Sequence, residues 1–281
     1  MPQPINAFTI DVEDWFHILE LEGTPGIGDW GSMESRVERN LGRLLHAVEE
    51  AGAHCTCFLL GWVAEHHADV AKRAAGGGHE IATHGYGHEL VTQLGPGRFR
   101  SDLERAIEAI QKATDVRPVG YRAPGFSISE DALWALEILA DFGIRFDSSI
   151  FPTRRAHGGY PGANPLPHRL TLPSGSSLLE FPISVTSIMG RRLAYCGGGY
   201  LRLFPYSFIR SQIAAANARG ESVMLYIHPR DIDPDQPRLR MPPHRRFRSY
   251  VNLHTTYDKL RRLLADFPFG TASEALESVA A

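Results

Sequence analysis

The chain has 281 residues, a formal net charge of −3 and 43% hydrophobic residues. That length suits two domains or one α/β barrel, and it can bury a sizeable core without staples. The balanced charge argues against a nucleic-acid protein, and 22% charged residues of mixed sign argue against a disordered one.

Ile5 to Val12 is a short apolar run that ends in acids and reads as a first strand, not as a signal peptide. Glu34 to Glu50 predicts a helix with Val37, Leu41, Leu44, Leu45 and Val48 on one face. His54 to Leu60 predicts a strand. Its Cys55 and Cys57 share a face too closely to bridge easily, and three cysteines in all suggest a reducing compartment. Trp62 to Ala75 predicts a helix that stops at Gly76-Gly77-Gly78. Glu80 to Thr83 is a short strand. Ser101 and Glu104 form a capping-box pattern for a helix with Leu103, Ile107 and Ile110 inward.

Val119 to Arg122 is a strand, Ser129 starts a helix that ends near Gly143, and Arg145 to Ser148 is a strand. Leu178 to Ile183 and Ser222 to His228 are later strands, with a helix at Tyr206 to Arg219 between them. Tyr250 to Phe267 closes the series as a helix. Alternation of this kind predicts βα units around a parallel sheet, as a barrel rather than an open sheet. No apolar run reaches the ~18 residues of a membrane span. A cytoplasmic protein is expected.

In α/β folds the chemistry gathers at the C-terminal ends of strands. The first strand ends in Asp11-Val12-Glu13-Asp14, three acids that repel one another unless a cation neutralises them. The third ends in His84-Gly85-Tyr86-Gly87-His88. The glycines argue against a helix, and a loop could turn both imidazoles to one point. Two histidines and a carboxylate make a metal site with room for water. The fourth strand ends in Arg122-Ala123-Pro124-Gly125-Phe126, the fifth in Asp147-Ser148-Ser149-Ile150-Phe151-Pro152. A late apolar strand ends in His228, either a core histidine or a general acid.

These five strand ends, in this order, resemble the five motifs of the polysaccharide deacetylase superfamily, carbohydrate esterase family 4, also called the NodB homology domain. Asp11 to Phe16, Gly197 to Pro205 and His228 to Pro237 further resemble the deacetylases of exosortase-associated exopolysaccharide clusters. The resemblance spans nearly the whole chain. It implies a distorted (β/α)7 barrel over residues 5–228, completed by an extension over 229–281, in a single domain 1–281. It implies a zinc-type divalent metal held by His84, His88 and one carboxylate.

Asp11 is the expected base. Asp14 is the expected ligand, being the shorter acid at a bent strand end, with Glu13 as the alternative ligand or base. Strand alternation, however, puts Asp11 and Glu13 on one face and Asp14 on the other unless the strand end twists. Gly85 stands where the family pattern has Ser or Thr, and so lacks a hydroxyl that would steady the loop. His228 would protonate the leaving amine, Arg122 would orient the base, and Asp147 and Ser148 would shape the same wall or assist His228. Tyr86, Pro124, Gly125, Phe126 and Ser148 are expected to touch substrate, and Leu225 and Ile227 to line a pocket for the acetyl methyl.

The implied reaction is hydrolytic removal of N-acetyl groups from an amino-sugar polysaccharide or its lipid-linked precursor, at a membrane-bound synthesis complex or free of one. Two other readings share the barrel: a metal-independent amide hydrolase of the allantoinase kind, and a non-catalytic carbohydrate-binding protein. The histidine pair counts against the first. The presence of every catalytic candidate counts against the second. Arg238, Arg240, Arg245, Arg246 and Arg248 form either a solvated rim or a clamp for an anionic glycan or a lipid-linked pyrophosphate sugar. Trp15, Phe16 and Trp30 are core or a sugar platform. Gly197 to Tyr200 is a turn or a sugar contact.

Overall fold

The computed structural model describes residues 3–19, 24–155 and 158–280. Its strands are β1 (Asn6–Val12), β2 (Thr56–Leu59), β3 (Glu80–Thr83), β4 (Gly120–Tyr121), β5 (Phe146–Asp147), β6 (His168–Thr171), β7 (Ser177–Glu180), β8 (Val185–Ile188), β9 (Arg191–Ala194), β10 (Met224–Ile227) and β11 (Phe269–Gly270). The helices are α1 (Val37–Glu50), α2 (Gly61–His66), α3 (Ala68–Gly76), α4 (Val91–Thr114), α5 (Trp134–Asp141), α6 (Gly198–Leu203), α7 (Tyr206–Ala218), α8 (Pro243–Tyr250), α9 (Leu253–Asp266) and α10 (Ala272–Ala280).

Nine strands form one curled sheet in the order β10-β1-β2-β3-β4-β5-β7-β6, with β11 also on β1. Every pairing in it is parallel except β6 with β7. The hairpin β8–β9 stands apart. This is a distorted α/β half-barrel of the expected class.

Several elements differ from expectation for local reasons. The helix expected at Trp62 to Ala75 breaks at His67, whose φ and ψ are −132° and 56°. Ser101 does not cap a helix. The helix begins ten residues earlier at Val91, kinks at Gly95 (φ 67°) and restarts on Pro96, a residue suited to a first turn. The helix expected at Tyr250 to Phe267 is α9, which starts only at Leu253 because Asn252 is in the left-handed region, and α8 precedes it.

The period-2 alternation of the strands sorts the core into two layers. Phe8, Ile10 and Val12 of β1 face outward into the apolar layer beneath the helices. Ala7 and Met224 face the interior with Phe58, Phe146, Phe181 and Tyr226. Leu225 and Ile227 belong to the outer layer, which corrects their assignment to an acetyl pocket. Each contributes about 2 kcal/mol of burial to stability and nothing to the interior. Cys55 and Cys57 are free and buried in the same outer layer. No helix among the described residues is long and apolar enough to cross a membrane.

Candidate active site

At the end of β1, extended backbone turns Asp11 and Glu13 to the interior, 1% and 2% exposed. Asp14 turns the other way. Its Oδ2 accepts from Ser35 Oγ at 2.6 Å and from the N–H groups of Arg36 and Val37 at 2.9 and 3.2 Å, and its Oδ1 accepts from Trp15 N–H. Asp14 is thus the anion at the start of α1. Burial raises its carboxyl above the usual range and these donors pull it back in part. The expectation that Asp14 ligates a metal is corrected here, because its acceptor sites are taken by Trp15 and by Ser35, Arg36 and Val37 at the start of α1. The ligand atoms that do gather, all within 4.8 Å of one another, belong to Glu13, His84 and His88.

Gly85 has a φ of 75°, and a Cβ there would lie 2.8 Å from Asp102 Oδ2. The Asp102 carboxylate, on α4, accepts the N–H groups of Tyr86 and Gly87 at 2.9 and 3.0 Å. An aspartate from another element therefore steadies the histidine loop, in place of a hydroxyl at residue 85. His88 is left-handed at φ 53°, which costs a non-glycine residue about 1–2 kcal/mol and marks the loop as functionally constrained.

His84 Nδ1 donates to the Arg122 carbonyl at 2.7 Å, which turns the Nε2 lone pair to the site. His88 Nε2 lies 2.6 Å from Glu13 Oε2. Beyond this approach to His88, that oxygen is buried without a hydrogen-bond donor among the described residues. Burial alone would raise the Glu13 carboxyl, but His88, His228 and Arg230 outweigh it and hold it well below the usual range. An orphaned carboxylate oxygen among imidazole nitrogens is costly without a cation, so the donor set fits a divalent metal.

Arg122 is fully buried. It donates to Asp11 Oδ1 at 2.5 Å, Thr9 Oγ1 at 2.9 Å and Ser148 Oγ at 3.0 Å, and lies 4.0 Å over the Phe58 ring. Ser148 therefore holds Arg122 rather than substrate. Asp11 Oδ2 remains open and faces His228 Nε2 at 3.8 Å.

His228 donates from Nδ1 and from its backbone N–H to Asp231 Oδ2, at 2.9 and 3.0 Å. A carboxylate only accepts, so the neutral ring carries its hydrogen on Nδ1 and presents the Nε2 lone pair to Asp11 and Glu13. Burial pushes the ring down to about 4. Asp231 Oδ1 pairs with Arg202 of α6. A Cβ on Gly198 would lie 1.8 Å from Asp231 Oδ2, so the glycine segment serves this close packing. Tyr200, offered as a sugar stack, stacks on Phe204 instead.

Asp147 does not reach His228. It accepts from Ser149 Oγ and N–H at 2.6 and 3.0 Å and pairs with Glu180, both fully buried. The expectation that it assists His228 is corrected: Asp231 stands in that place. Burial first, then the Asp147 charge, raises Glu180 well above its ordinary value, so Glu180 holds the shared proton. A native pKa above the unfolded one stabilises fully below the unfolded value and is lost as pH rises through the native value. Glu180→Gln keeps a neutral hydrogen-bonding group and should flatten the alkaline decline of the melting temperature. An alkaline limb identical to wild type in thermal melts would put the proton elsewhere.

Tyr86 also lies off the site: its hydroxyl donates to Glu65 and Arg105 covers its ring at 3.6 Å. Trp15, Phe16 and Trp30 pack into the outer layer with Trp62, which leaves no platform. Pro124 is buried behind the wall formed by Gly125 and Phe126.

A cavity of about 180 Å³ is lined by Asp11, Glu13, His84, His88 and His228, with Gly125 and Phe126 as one wall. Residues 29–146 match the family model described as polysaccharide deacetylase. Over those residues the chain is similar to the polysaccharide deacetylase family. Residues 148–277 match a domain of unknown function, DUF3473. A peptidoglycan deacetylase-like protein of Gibberella zeae is 36% identical over 112 residues, 39% of this chain and 32% of that protein. The chain thus spans about a third of that curated relative. A candidate polysaccharide deacetylase of Mycobacterium smegmatis superposes with a TM-score of 0.67 at 22% identity, over 99% of this chain and 94% of that one. An allantoinase superposes at 0.59 and 15% identity, over 94% and 86%. At these identities the two structures show a shared fold alone.

Sequence reasoning missed His17, Arg155, Arg230 and Asp231. Asp231 had a local signal, an acid three residues after a strand-end histidine. His17 had another: its Nδ1 accepts the Asp14 N–H at 2.9 Å, so three residues of spacing place it on the cavity. Arg155 had none.

Proposed function

We propose that the protein is a hydrolase that removes N-acetyl groups from an amino-sugar glycan, either a polysaccharide or its lipid-linked precursor. One observation carries this. A carboxylate fixed by a buried arginine, a metal-type triad and a histidine backed by a carboxylate share a single cavity. The resemblance of residues 11–16, 197–205 and 228–237 to exosortase-associated deacetylases favours an exopolysaccharide.

Glu13, His84 and His88 would hold the cation, zinc by their nitrogen and oxygen donors, and it would supply Lewis-acid polarisation and an acidified water. Asp11 accepts the proton of the attacking water on Oδ2, while Arg122 fixes Oδ1. His228 Nε2, 3.8 Å from Oδ2, takes up a proton and delivers it to the departing amine, which cannot leave as an anion. Asp231 stabilises the imidazolium as it forms. Gly125 and Phe126 pack the acetyl methyl, and the Nε2–H of His17, which has no partner among the described residues, donates to the sugar. The barrel and the extension act as one domain in this reading. In its support, β11 pairs with β1, and Arg230 and Arg245 reach the cavity.

Acetate release from short acetylated hexosamine chains, with and without chelator, tests the reading. Release that stops with chelator and returns with zinc is expected. Full zinc occupancy with no acetate from any chain would favour the carbohydrate-binding alternative.

A further inference from the structure

We propose that Arg202 is a positioning residue for the general acid: from α6 it keeps Asp231 ionised and in place behind His228. This rests on the reading of His228 as the group that protonates the departing amine.

Asp231 is 1% exposed and Arg202 4%. The carboxylate divides its oxygens between two partners. Oδ2 accepts from the Nδ1–H and the backbone N–H of His228, and Oδ1 pairs with the Arg202 guanidinium. A buried carboxylate without a counter-charge tends to take up a proton instead. A neutral Asp231 would stabilise an imidazolium poorly. While His228 is still neutral, Arg202 is the cation that pairs with Asp231 among the described residues. It therefore keeps the anion ready for the charge that forms on His228 during the reaction.

The surroundings of α6 fix the guanidinium there. Gly198 lies one turn before Arg202 on the same face, and a Cβ on it would overlap the Asp231 carboxylate. Lys259 of α9 donates to the carbonyls of Leu201 and Phe204 at 2.9 and 3.0 Å, and Asn252 donates to the carbonyl of Arg202 itself at 3.1 Å. The second arm of the fork, Nη2, donates to the Arg248 carbonyl of α8 at 2.7 Å. These bonds reach neither Asp11 nor the metal-type triad, so an effect of Arg202 on the reaction runs through Asp231 and His228. All three residues lie within 148–277, the stretch matched by the domain of unknown function. In this proposal that stretch supplies the acid of the site, and the base and the triad come from before it.

The chemistry offers a selective test. In the acid step the C–N bond breaks, its electron pair stays on nitrogen, and that nitrogen takes the proton from His228 Nε2. An activated aryl ester needs no such proton, because nitrophenolate leaves as an anion. Acetate release by the zinc-loaded full chain is therefore compared on acetylated hexosamine chains and on 4-nitrophenyl acetate. Arg202→Gln should lower kcat on the glycan about 10–100-fold, with KM and zinc content unchanged, and alter the ester rate less than about threefold. Arg202→Lys keeps the charge and should recover most of the glycan rate. Gly198→Ala displaces the same carboxylate with Arg202 in place and should give the same selective loss, so the test survives an unstable Arg202→Gln protein. A second readout needs no turnover. The hydrogen-bonded Nδ1–H proton of His228, assigned by its loss in His228→Gln, should move in the NMR spectrum of Arg202→Gln. Equal losses on glycan and ester, an unchanged glycan rate in Arg202→Gln, or an unmoved proton resonance would overturn the proposal. The two readings fail separately. A resonance that depends on Arg202 without acetate from any chain keeps the positioning and removes the deacetylase. Acetate release with an unmoved resonance does the reverse.

Discussion

Asp11→Asn should lower the rate of acetate release by about 10²–10⁴-fold, with KM nearly unchanged and zinc still bound. The loss is in the chemical step because Asn cannot accept the water proton at the position Oδ2 occupies. Zinc should remain because Asp11 is not among the gathered ligand atoms. The variant will also be less stable. Arg122 is fully buried, and the amide oxygen replaces its ionised partner Asp11 with a neutral group. Leaving a buried cation without a counter-charge typically costs about 3–5 kcal/mol, so a fall of several degrees in melting temperature is expected. Kinetics are therefore compared at a temperature where the variant is folded by circular dichroism. A folded, zinc-loaded Asp11→Asn protein within a few-fold of wild type would exclude Asp11 as the base.

The second large effect separates two adjacent acids. Glu13→Gln should strip the metal and with it acetate release, because one of three ligands becomes a neutral amide. Asp14→Asn should retain stoichiometric metal. It should lose about 1–2 kcal/mol of stability, the usual cost of a helix N-terminal anion and acceptor. Elemental analysis after desalting reads the first, thermal melting the second. The reverse pattern, with metal lost from Asp14→Asn and kept by Glu13→Gln, would return the ligand role to Asp14.

That pair shows where the sequence was legible. Strand alternation alone puts Asp11 and Glu13 on one face and Asp14 on the other, and the structure follows it. The preference for Asp14 came from likeness to a shorter family acid, and it failed because α1 begins where Asp14 can serve it. Leu225 and Ile227 were misplaced by the same neglect of alternation, since Tyr226 is the neighbour that faces the interior. Asp147 was misplaced for a different reason. Its partner Glu180 lies on β7, across a parallel pairing that local pattern cannot reveal.

The sequence by itself pointed to the alternation of strands and helices and to strand ends bearing Asp11, His84, His88, Arg122 and His228, which the structure brings into one region. Those follow from short-range rules: periodicity, glycine in loops, and the polarity of what ends an apolar run. Only the tertiary structure decided which groups support them. Asp102 reaches Tyr86 and Gly87 from α4, Arg202 reaches Asp231 from α6, and Arg155, Arg230 and Arg245 meet at one opening. Each of these contacts joins segments that the chain order leaves apart or turns a side chain across the barrel. Their energies come from burial and charge in the folded state, which no window of sequence contains.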